Sequence, residues 1–210
     1  MTEQQPVTVS LEGIGKKYYQ RWLFRDIHLH LTPDTRLAIT GTNGSGKSTL
    51  LRIIAGQLSP TQGTVRYARH GQQIPTQAIY QHISWSGPWS GLYEDLTLRE
   101  HLMLHFRART CVLPNPEELI GLLDLVPHAD KKLRYYSSGM LQRTKVGLSL
   151  FTQSDVLLLD EPTGNMDTAN ATRMLGLINT YAVGRVYILA SNLEREYEGF
   201  SQILTLQSWS

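Results

Sequence analysis

Gly41-Thr42-Asn43-Gly44-Ser45-Gly46-Lys47-Ser48-Thr49 is the stretch of this sequence whose residue types are best suited to chemistry. Glycines let a backbone turn tightly enough for successive N–H groups to converge on one anion, and a helix that opens there adds the positive end of its dipole. The spacing is that of a P-loop. In such a loop Lys47 reaches the β- and γ-phosphates of a nucleotide, Ser48 sets a hydroxyl where Mg²⁺ sits, and Thr49 offers another on the α-phosphate side. A Gly/Ser-rich turn that fits the pattern by chance is the alternative. The context opposes it, because residues 36–40 read as a buried strand running into the loop and a helix begins near Lys47.

A second group lies far downstream, where the apolar run 156–159 ends in Asp160-Glu161-Pro162. Two carboxylates at the C-terminal end of a parallel strand stand where α/β proteins bind ligands. They can divide two tasks: Asp160 holds Mg²⁺ directly or through water, and Glu161 takes a proton from, or orients, the water that attacks the γ-phosphate. An acidic turn closing a strand is the plain alternative, and for the pair alone it would be preferred. The P-loop upstream reverses that preference.

Between the two groups lies Tyr136-Ser137-Ser138-Gly139-Met140-Leu141-Gln142-Arg143. It resembles the signature of ATP-binding cassette (ABC) proteins, commonly Leu-Ser-Gly-Gly-Gln followed by Gln-Arg, and the resemblance extends from about residue 7 to residue 206. It implies that ATP is the nucleotide and that Ser137 and Gly139 face the γ-phosphate of ATP bound to a second subunit, at a helix start suited to an anion. Ser137 also reads as an ordinary helix cap, and the two roles are compatible. Gly164-Asn165-Met166-Asp167 matches the family's D-loop, with Asp167 as its acid. Tyr18 resembles the aromatic that stacks on adenine, with Tyr19 as an adjacent competitor and packing of the first lobe as the alternative.

The chain departs from the family at two places. A histidine usually follows the last core strand; here Asn192 stands there, able to donate a hydrogen bond but unable to become cationic. A glutamine usually follows the strand before the helical lobe; counting back from Leu96-Thr97 reaches Pro88, and Gln81 is too early to replace it. The resemblance therefore implies slow hydrolysis. Either the cassette binds ATP mainly to dimerise, or it is a working ATPase relying on Glu161. Retention of Lys47, Ser48, Asp160 and Glu161 favours the second. The proline and the Ser-Asn pair resemble a subset of bacterial exporter-like cassettes. Trp85 and Trp89, with Leu92, Tyr93 and Leu96, occupy the region that receives the coupling helix of a membrane subunit in the family, or they pack the helical lobe.

These groups need a frame. The expected fold is α/β, a P-loop NTPase core of mostly parallel sheet flanked by helices, with an antiparallel β layer and an inserted helical subdomain. A single domain over residues 1–210 is expected, its helical part at about 90–150. Alternation places early strands at 7–11 and 27–31, and residues 63–67 and 78–84 supply two further candidate strands. Helical spacing marks 97–108, 116–125 and 138–151. Strand 156–159, a helix near 168–181, and strands at 185–190 and 202–206 complete the core.

Composition limits the partners. A net charge of +2 with 18% charged residues supplies no broad basic field, so nucleic acid is not an expected partner. Cys111 is the one cysteine, which excludes an internal disulfide and fits a reducing compartment. His70, His82, His101, His105 and His128 have no metal-ligand spacing and read as surface or core residues. Residues 1–6 are polar and no apolar run approaches the roughly 20 residues that span a bilayer. The resemblance thus implies a cytoplasmic subunit, peripheral on the inner face of the cell membrane through a separate transmembrane permease, and paired with a second ABC subunit as a homodimer. The competing class is a soluble ABC protein of DNA repair or translation; it is disfavoured because this chain lacks long insertions and a second cassette. Small haem-export subunits share this length. A regulatory binding module without turnover is the third reading.

Overall fold

The computed structural model describes residues 7–88 and 90–207. Along the chain the strands are β1 (Thr8–Tyr18), β2 (Arg21–Leu31), β3 (Arg36–Thr40), β4 (Gln62–Arg69), β5 (Gln72–Gln73), β6 (Ile83–Ser86), β7 (Val156–Asp160), β8 (Val186–Ala190) and β9 (Gln202–Thr205). The helices are α1 (Lys47–Ile54), α2 (Leu98–Ala108), α3 (Pro116–Leu122), α4 (Ser138–Phe151), α5 (Thr168–Tyr181) and α6 (Glu194–Tyr197). The chain divides into two compact units. The first runs through Ile83 and includes Ser154–Asp160 and the chain from Gly184 onward; the second comprises Ser84–Gln153 and Glu161–Val183.

The first unit holds the sheets. β1 and β2 form an antiparallel hairpin from Val9↔Leu31 to Tyr18↔Arg21, and β4 pairs on the other side of β1. The inward residues Val9, Leu11, Ile14, Phe24 and Leu31 are buried, as period-two burial requires. The hairpin is far longer than the expected strands at 7–11 and 27–31. Register shifts between Leu11 and Lys17, beginning where Gly13 takes a φ of +59°, break the alternation that a sequence reading follows.

In the second sheet β7, β8, β3 and β9 lie side by side in that order, all parallel. Every residue of β7 and β8 is buried, which matches their unbroken apolar runs. Parallel pairing sets the C-terminal ends of these strands along one edge. The expected strand at 78–84 is corrected: Thr76–Gln81 is a 3₁₀ turn and the strand starts at Ile83. Pro75 opens that turn, its carbonyl accepting from Ala78 N–H at 2.9 Å, and Ile79 alone of the six residues is buried.

The second unit is helical, and its helices begin at side-chain caps. Thr97 and Glu100 form a reciprocal capping box on α2, Asn115 caps α3 from Glu118 N–H at 3.0 Å, and Pro116 follows at the first helical position. α3 ends at Leu122, short of the expected 125, because Asp124 turns to a φ of +56°. Leu119, Ile120, Leu123, Leu125, Leu133, Val146, Leu150 and Phe151 are buried. At roughly 1.5–3 kcal/mol per fully buried large apolar side chain, such residues dominate the unit's stability. Among the described residues no helix is long and apolar enough to cross a membrane.

Candidate active site

The glycine-rich loop leaves β3 at Thr40 and enters α1 at Lys47. Crowding as well as turning demands glycine here. A Cβ on Gly41, whose φ is +136°, would lie 2.4 Å from the carbonyl oxygen of Leu206, and one on Gly46 would lie 2.7 Å from Leu23 of β2. Gly46 occupies the N-cap of α1 and brings no side-chain cap to its first turn. Lys47 is only 6% exposed, and its ammonium donates to the carbonyl oxygens of Gly41 at 2.7 Å and Thr42 at 3.3 Å. Ser48 and Thr49 are half-buried in the same turn.

The neighbouring strands deliver two more expected residues to this edge. Asp160 closes β7, paired in register with Ala190, and is 4% exposed. Beyond β8, the Asn192 amide donates to the Asn43 side-chain oxygen at 3.2 Å, so Asn192 touches the loop directly. Tyr18 ends β1 at 47% exposure, with the Lys16 ammonium 5.3 Å from its ring centroid. Tyr19, at a φ of +52° and 99% exposed, belongs to the hairpin turn.

The second unit carries the other expected residues. Glu161 follows directly on β7, is exposed, and has a φ of +48°, a region that disfavours side chains. Its carbonyl accepts from Gly164 N–H at 3.0 Å and from the Gln142 amide at 3.0 Å. Ser137 caps α4, accepting from Met140 N–H at 3.2 Å. Gly139 passes so close to residues 164–167 that a Cβ would lie 2.7 Å from the Asn165 carbonyl oxygen. Asp167 caps α5, accepting from the backbone N–H of Asn170 at 2.8 Å and its side-chain amide at 2.7 Å, and these bonds, the backbone one foremost, hold its carboxyl below the ordinary range.

Of the aromatic loop residues, Trp85 is half-buried and its carbonyl accepts from the Ser149 hydroxyl, whereas Tyr93 is 64% exposed with its ring 5.6 Å from His101. Pro88 is exposed; Trp89 lies outside the described residues. His101 is buried, His105 meets the Thr152 hydroxyl at 2.8 Å, and His82 meets Asp155 at 2.8 Å beside Arg69. Sequence reasoning missed Gln142 as a contact of Glu161. Its place three residues after Gly139, on the same helix face, was the available signal.

A parallel sheet whose C-terminal edge carries a lysine-bearing glycine loop after one strand and a buried aspartate at the end of another defines a P-loop nucleotide-binding protein. The chain belongs to the ABC transporter family, whose sequence profile matches residues 24–164, and is an ATPase cassette of it. It is 30% identical to the cytochrome c biogenesis ATP-binding export protein CcmA of Bordetella bronchiseptica, covering 99% of this chain and 93% of that protein. It is 28% identical to the daunorubicin resistance ATP-binding protein DrrA3 of Streptomyces coeruleorubidus over 86% of this chain, and 29% identical to the rat ATP-binding cassette sub-family A member 7 over 88%. It spans 58% of the former's length and 9% of the latter's. Two solved structures share the fold at 20% identity and a TM-score of 0.81. One is a dimeric cassette in a post-hydrolysis state bound to ADP and Pi, covering 95% of this chain and 94% of its own. The other is a bacterial Atm1-family exporter with ATP bound, covering 99% and 38%.

Proposed function

We propose that this chain binds Mg-ATP on its glycine loop, closes with a second ABC subunit around that nucleotide, and passes the closing and opening motion to a separate transmembrane permease. The observation that carries this reading is the common edge of one parallel sheet bearing the Lys47 loop, Asp160 and Asn192. Gly41 to Gly46 offer their N–H groups, and Lys47 turns its charge from two loop carbonyls to the β- and γ-phosphates. Tyr18 stacks on adenine.

The donor set fits Mg²⁺: a serine hydroxyl at Ser48 and a buried carboxylate at Asp160 are hard oxygen ligands of the kind that ion prefers beside phosphates. When bound, the ion neutralises phosphate charge that builds up as the terminal bond breaks. Glu161 accepts a proton from the attacking water, and Asn192, from its contact with Asn43, steadies the γ-phosphate side as a neutral donor. Ser137 and Gly139 of the facing subunit complete the pocket, with that subunit's Asp167 in the adjoining loop. Two identical chains satisfy this arrangement.

Tyr93 and the Trp85 region face the permease, which holds the chain at the inner face of the cell membrane. Likeness to CcmA supports an export system as the setting. In the purified chain, Lys47→Ala is expected to abolish Mg-ATP binding. Glu161→Gln is expected to retain binding and accumulate as an ATP-dependent dimer in which cysteines placed at Ser137 of one copy and near Lys47 of the other crosslink. Turnover by Glu161→Gln at the parent rate, or no such crosslink, defeats the reading.

A further inference from the structure

We propose that Gln142 is a positioning residue for Glu161, tying the aim of one chain's general base to the helix whose start serves its partner's nucleotide. The proposal rests on the reading above of Glu161 as base and Ser137 as a contact across the dimer.

Glu161 needs outside support. At a φ of +48° a side-chain-bearing residue relaxes toward negative φ unless its neighbours fix it, and relaxation swings the carboxylate away. Two donors oppose this. Gly164 N–H closes the turn onto the Glu161 carbonyl at 3.0 Å, and the Gln142 amide reaches the same oxygen at 3.0 Å and the Pro162 carbonyl at 3.5 Å. Gly164 belongs to the turn itself and moves with it. Gln142 is anchored elsewhere, on α4.

That helix is held at several points near its start. Gly139, three residues before Gln142 on the same face, leaves no room for a Cβ against Asn165, so residues 161–166 lie against α4 at two places. Arg143 binds the opposite direction, donating to the carbonyls of Leu123 at 3.0 Å and Asp124 at 3.4 Å beyond α3. Ser137, the cap of α4, stands less than two turns from Gln142. A tilt of α4 when Ser137 engages a partner's phosphate is therefore transmitted through one rigid helix to the Glu161 turn. Each chain's base is thus set by whether its own signature helix is occupied.

The donor is the feature to remove. In the full chain, Gln142→Glu keeps the side-chain shape and replaces the amide donor with an acceptor that repels both carbonyls. The expected result is a kcat for ATP hydrolysis lowered about tenfold, with KM and the Kd for Mg-ATP unchanged. Gln142→Met, apolar and of similar length, is expected to behave alike and covers the case in which the added charge unfolds the helix. In a Glu161→Gln background neither substitution lowers the residual turnover further, because the group being aimed is already gone. Normal kcat in both Gln142 variants alongside a disabled Glu161→Gln overturns this proposal alone. So does a loss that adds in full to that of Glu161→Gln, or a loss that appears in KM. Full turnover by Glu161→Gln overturns the assignment of the base and this proposal with it.

Discussion

The left-handed backbone at Glu161 sets stability against activity at a single residue. Non-glycine residues there carry roughly 1–2 kcal/mol of strain that glycine does not. Glu161→Gly is therefore expected to melt higher than Glu161→Ala by about 1 kcal/mol of unfolding free energy, while both lose turnover; equal stability of the two would remove the strain from the account. Asn192 makes a second residue-scale prediction. Its amide is the direct link from β8 to the loop, and Asn192→Ala is expected to slow single-turnover hydrolysis about tenfold, whereas an unchanged rate makes the Asn43 contact incidental. Lys47 and Asp160 were legible in the sequence because each stands in a spacing that only a few local geometries satisfy. The link from Gln142 was harder to read: its place on the face of Gly139 pointed toward it, but its acceptor is a carbonyl 19 residues away and every residue carries a carbonyl.

Helices proved easier to read than the first sheet. Thr97, Asn115, Ser137 and Asp167 each stand where a helix begins, and each side chain accepts from the N–H three residues on. Asn115→Ala is expected to cost about 1 kcal/mol by denaturant unfolding, because Glu118 N–H loses its acceptor at the start of a seven-residue helix. The β1–β2 hairpin hid behind its own irregularity: bulges between Leu11 and Lys17 shift the inward face, so no single alternation runs through it. Residues 78–84 misled in the other direction. Ala78, Ile79 and Tyr80 form a short apolar run that lies in a 3₁₀ turn, whose stability comes from Pro75 and short-range hydrogen bonds.

At the scale of the whole molecule, acid sensitivity is one expected property. Burial foremost, then the charges of Arg109 and His101, depress the His105 imidazole to about 4. The unfolded chain takes up a proton near the ordinary histidine value of about 6.5, so the unfolded state binds more protons between these values. Stability from this group is complete above about 6.5 and is lost as pH falls through the folded value near 4. Urea midpoints measured from pH 7.5 to 4.5 are expected to fall less steeply for His105→Gln, which stays neutral and can still meet the Thr152 hydroxyl; parallel curves would clear His105 of the effect.

The order of strands also bears on how the protein is made. β3 stands inside the parallel sheet, yet its partners come from the far end of the chain: Leu37 lies beside Ile188 on one side and Gln202 on the other. During synthesis, both flanks of an apolar Leu-Ala-Ile segment stay unpaired while some 150 later residues leave the ribosome. Closure over that separation is slow, and nascent chains halted before β8 present a sticky ribbon to one another, a natural client for holding chaperones.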